Sequence, residues 1–147
     1  MPIAGNIKNK IKDNLDALKS KGVLKEIQED DYHVSIFNRH VSVYPVAFLT
    51  GMSLENAEYL TNRANIRTHY FEIVVVERSE NITSPNDIED LMEELLNQFD
   101  NDPTLSGAAD GAVEAATSKP VPVVSQQKSC VAFSVQIKAK AVKDLTF

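Results

Sequence analysis

Ile88, Leu91, Met92, Leu95, Leu96 and Phe99 recur at steps of three, one, three, one and three. Those positions share one face only on a backbone with 3.6 residues per turn, so the segment is an amphipathic helix. It carries its own punctuation. Ser84 can cap it, Pro85 suits its first turn, and Asp87 stands where the acid of a capping box belongs. Asp100-Asn101-Asp102-Pro103 stops it. Glu89, Asp90, Glu93 and Glu94 fall off the stripe. The stripe, Met92 and Phe99 included, is expected to be core rather than the wall of a ligand pocket.

A second helical pattern runs over about residues 3–21. Ile3, Ile7, Ile11, Leu15 and Leu18 keep to one stripe, with Lys8, Lys10, Lys12, Lys19 and Lys21 around the rest. Gly22 ends it, or kinks it before Val23, Leu24 and Ile27. Interleaved Asp13 and Asp16, and the lack of aromatics, favour packing on a core over lying on a membrane surface.

From Tyr32 the period changes to two. Tyr32, Val34 and Ile36 alternate with His33, Ser35 and Phe37, and Val41, Val43, Pro45 and Ala47 alternate with Ser42, Tyr44, Val46 and Phe48, which predicts two strands joined at Asn38-Arg39-His40. Pro45 has no amide hydrogen and belongs at a sheet edge or bulge. Gly51 opens a linker to about Asn65, with room for one helical turn over Leu54–Leu60. The near-continuous apolar run His69–Val76 suits the centre of a sheet. After the acidic helix, a small-residue stretch from Leu105 to Ala116 leads to strands around Val113–Val124 and Ser129–Val142. Pro120 and Pro122 make the first irregular. The second alternates Val131, Phe133, Val135, Ile137 and Ala139 with Ala132, Ser134, Gln136, Lys138 and Lys140, one face buried and one wet. The expected fold is α+β: a single domain over 1–147, with a mostly antiparallel sheet of about four to five strands packed by two main helices at about 3–21 and 85–100.

Composition narrows the function. Of 147 residues, 43% are hydrophobic and 24% charged, ordinary values for a globular chain. No apolar run approaches the ~20 residues needed to span a bilayer. Met1-Pro2-Ile3-Ala4-Gly5-Asn6 passes straight into a charged helix without a signal peptide's apolar block. The single cysteine, Cys130, lies in an apolar run and is expected to be a core residue in a reducing compartment. The net charge of −6 is carried wholly by residues 75–147, with six basic and twelve acidic side chains against nine of each in 1–74. Between Ser79 and Ser118 there is no Lys or Arg, which disfavours binding to a phosphate backbone.

Catalytic and metal patterns are missing from the sequence. There is no glycine-rich phosphate loop, no His-Glu-x-x-His, no paired cysteines and no Gly-x-Ser-x-Gly elbow. His33, His40 and His69 have no acidic or cysteine partner at ligand-like spacing. The adjacent pairs Asp30-Asp31 and Glu93-Glu94 point in different directions and do not converge as a general acid and base. Asp100-Asn101-Asp102 lacks the distal glutamate of a calcium loop. No enzyme, cofactor or metal site is expected.

The order of these elements resembles the tail terminator proteins of long-tailed bacteriophages over about residues 3–142. A basic N-terminal helix leads into strands ending at Tyr44-Pro45-Val46-Ala47. The strand Tyr70–Val76 precedes the helix Ile88–Phe99, which runs into Asp102-Pro103-Thr104-Leu105-Ser106-Gly107. Ser106 stands where the resemblance leads one to expect a second glycine beside Gly107. The resemblance implies a structural virion protein that forms a homo-oligomeric ring, usually of six copies. That ring caps the tail tube, ends tail polymerisation and presents a joint to the head's connector. Its implied partners are further copies, the tail tube protein, the head–tail connector protein and genome DNA passing without sequence-specific binding, with no membrane. Its implied place is the head-proximal end of the virion tail, reached from the host cytoplasm. A related head–tail joining protein fits the same pattern.

Two surfaces follow. The polar tip of the linker, with Asn56, Glu58, Tyr59, Asn62 and Arg63, is the expected contact to a neighbouring subunit or the tube, because long loops are usually functional or mobile. The acidic helix face Glu89, Asp90, Glu93 and Glu94 either faces the channel, meets a neighbour's Lys8, Lys12 and Lys19, or merely solubilises. Rival readings are a small ligand- or peptide-binding regulatory module with the acidic helix as its docking face, and a small enzyme whose site forms between subunits.

Overall fold

The computed structural model describes residues 3–29, 41, 43–61 and 64–144, and for 3–4, 51–61, 64–65 and 143–144 the backbone path only. Helix α1 (Ile3–Ser20) is followed by strands β1 (Glu26–Glu29), β2 (Val46–Thr61) and β3 (Ala64–Arg78). Helix α2 (Pro85–Asp100) then leads to β4 (Glu114–Thr117), β5 (Val121–Ser125) and β6 (Lys128–Asp144). This is the α+β domain expected from the sequence, with a six-stranded sheet in the order β1-β2-β3-β6-β4. β3 is central, as its apolar run predicts. β1 was not foreseen; it pairs parallel to β2 over Val46–Leu49 and makes the sheet mixed.

α1 ends at Gly22, whose φ of 82° places it in the left-handed region. The Gly22 and Val23 amides bond back to the Lys19 and Leu18 carbonyls at 3.0 Å each, the paired bonds of a Schellman motif. At the start of α2, the Asp87 carboxylate accepts the amides of Thr83 (2.8 Å) and Ser84 (3.2 Å), one half of a capping box. These bonds hold the Asp87 carboxyl below its ordinary pKa, the Thr83 backbone bond being the main cause.

Both helices lie on one face of the sheet. Ile7, Ile11, Leu15 and Leu18 from α1 and Ile88, Leu95 and Phe99 from α2 join Phe71, Ile73, Val75, Phe133, Val135, Ile137 and Ala139 in one core. Each of these large side chains contributes about 1.5–3 kcal/mol by leaving water. A second, smaller core lies on the opposite face, where Val41 and Tyr44 cover Val46, Phe48, Val76, Cys130 and Ala132. Alternation along β6 therefore holds only from Ser134 onward. Nearer its start, Cys130 and Ala132 are buried on the face expected to be wet.

The structure corrects three further expectations. The strand over Val41–Phe48 begins only at Val46, because Pro45 has no amide hydrogen for the ladder; Pro45 follows a cis peptide bond, and its carbonyl accepts the Lys25 amide at 2.9 Å. The linker from Gly51 to about Asn65, with its room for a helical turn over Leu54–Leu60, is instead the body of a β2–β3 hairpin. Three register shifts, between Thr50/Ser53, Asn56/Glu58 and Tyr59/Thr61, break the two-residue period that would have marked a strand. The single strand over Val113–Val124 is two. Between Thr117↔Val135 and Val121↔Ala132 one strand has an extra residue, so β4 turns Ala115 to the helix face while β5 turns Val123 to the other. The strand predicted over Tyr32–Phe37 lies outside the described residues.

Candidate functional site

β2, β3 and β6 are 16, 15 and 17 residues long, whereas β1, β4 and β5 have only four or five each. β3 pairs β6 continuously from Ala64↔Asp144 to Arg78↔Cys130, so its hairpin with β2 is braced along its length. The predicted contact residues Asn56, Glu58 and Tyr59 lie on β2, opposite Arg67, Ile66 and Asn65. They are strand residues near the end of a three-stranded ribbon, not loop residues. Asn62 and Arg63 lie outside the described residues.

Deeper in that ribbon, His69 pairs across to Leu54 and Ala139. It is 3% exposed, and neither ring nitrogen has a partner among the described residues. Burial pushes its pKa below the ordinary imidazole value, and the neighbouring charge of Arg67 adds to this. His69 therefore resists protonation rather than holding a proton ready. Among the described residues no group of three or more His, Cys, Asp or Glu could hold a metal ion; His33 and His40 lie outside them. Burial is also the main cause that raises the pKa of the Cys130 thiol, which keeps it protonated.

On α2 the four acids stand together. Glu89, Asp90, Glu93 and Glu94 are all exposed, on the side away from buried Ile88, Leu95 and Phe99. None of the four makes an ion pair among the described residues. The basic helix is differently committed. Lys8 (3.4 Å) and Lys12 both pair with Glu29 of β1, which raises the pKa of Lys12 and lowers that of Glu29. Two of the three lysines assigned to a neighbour's acidic helix are thus engaged within their own chain. Lys19 alone of the three is exposed and without an ion pair among the described residues.

A polar network that the sequence reading missed, centred on buried Asn14, ties the helices together. Asn14, 6% exposed on α1, donates to Asp102 (2.9 Å) and accepts from Gln98 of α2 (2.8 Å). Gln98 accepts from Lys21 (3.0 Å), and Asp102 also takes the Ser106 amide (2.7 Å). The signal was a polar residue seven positions after Ile7 and three after Ile11, inside the apolar stripe. Asp102 is therefore a helix-end anchor.

The sheet edge beside β6 is closed. Asp110 donates its amide to the Lys140 carbonyl (2.8 Å) and accepts the Val142 amide on its carboxylate (2.7 Å), replacing a strand partner. The Ser118 amide bonds the Ser134 carbonyl (2.8 Å), and that phase turns Pro122 of β5 outward, where it offers no donor to another chain. On the face opposite the helices, a shallow groove of about 290 Å³ runs between β5 and β3, lined by Glu72, Val74, Val121, Val123, Ala132 and Ser134. No helix is long and apolar enough to cross a membrane among the described residues. Comparison with protein-family models and with curated proteins finds no match.

Proposed function

We propose that this protein is a structural component of a long-tailed phage virion. It forms a ring, of six copies in the family it resembles, that caps the tail tube, ends polymerisation and joins the tube to the head connector. Its partners are then its own copies, the tube protein, the connector and genome DNA that slides through without sequence-specific contact. A head–tail joining protein of related build serves the same surfaces. The ring works at the head-proximal end of the tail after assembly in the host cytoplasm, and the reading assigns it no catalysis and no membrane contact.

The observation that supports this most is the acidic face of α2, without an ion pair among the described residues, within a stretch, Ser79–Ser118, that has no Lys or Arg. A channel wall that DNA must pass needs to hold phosphate weakly, and carboxylates without nearby cations do so. The commitment of Lys8 and Lys12 to Glu29 favours this over pairing with a neighbour's acidic helix. The β5 groove, like an exposed acidic helix that could serve as a docking face, favours the rival of a peptide- or ligand-binding module.

The test is tube growth. Tail tube protein from the same phage, polymerised with this protein, is expected to give tubes that stop growing and carry a density at one end in electron micrographs. Tubes that lengthen as if it were absent, with the protein left in the supernatant, contradict the proposal.

A further inference from the structure

We draw no further inference here: the strongest candidate, the shallow apolar groove on the face of the sheet opposite the helices, between β5 and β3 and lined by Val74, Val121, Val123 and Ala132, carries nothing because nothing among the described residues shows what covers it.

Discussion

His69 is the side chain whose chemistry is least served by its surroundings. A buried imidazole with two unpartnered nitrogens forfeits the hydrogen bonds it made to water, about 1–3 kcal/mol. Its folded pKa lies below the unfolded value near 6.5. As pH falls below 6.5 the unfolded chain takes up a proton that the folded chain refuses, so acidification destabilises the fold through His69. His69→Leu removes both the orphaned atoms and that linkage. Urea unfolding should show the variant at least as stable as the parent at pH 7.5, with the gap between their midpoints widening in the variant's favour between pH 6.5 and 5. Parallel midpoints across that range would mean that His69 stays solvated. Ser106 is legible in a different way. Ser106 stands where glycine was expected, and Leu105, Ser106 and Gly107 have φ of 51°, 56° and 88°, the left-handed region that glycine enters freely. Ser106 is held there by its amide bond to Asp102. Asn14 could be suspected from its place in the stripe, but its partners lie 84 and 88 residues away and no local pattern names them.

Both helices were legible because an apolar stripe at helical spacing and a terminating glycine or proline act within a few residues of one another, and α2 adds a capping acid. Strands depend on distant partners, and there the sequence misled. β2 reads as a linker because Gly51 and its polar run suppress β propensity and three register shifts erase the alternation; pairing with β3, itself braced by β6, overrides both. β1 has only four residues and takes its strand form from β2. The β6 edge depends on one side chain that composition cannot single out. Asp110→Ala leaves the Val142 amide without its acceptor, and a cost of about 1–2 kcal/mol is expected. Asp110→Asn keeps a carbonyl oxygen in place and should recover most of it. Amide hydrogen exchange at Val142 reads this directly: faster in the alanine variant, near the parental rate in the asparagine variant. Equal protection in all three would mean that something other than Asp110 closes that edge.

For the whole molecule, one closed edge and a long braced ribbon bear on how copies could associate. Strand addition at β5 is blocked by Pro122, so subunits meeting on that side would do so through side chains. The acidic helix separates the remaining assignments. Replacing Glu89, Asp90, Glu93 and Glu94 by Lys should leave rings intact if that face lines the channel, while DNA is held in a way that fades with rising salt. Failure of the rings would place the face at a subunit interface, and parental behaviour would leave it a solubilising surface. The central claim, that the protein closes on itself, is tested most directly by its native mass in solution. The chain weighs 16.3 kDa, so the ring reading predicts a species near six chain masses, about 98 kDa, that appears as a closed annulus in negative stain. A mass of about 16 kDa at all concentrations, unchanged when tail tubes are added, would contradict it.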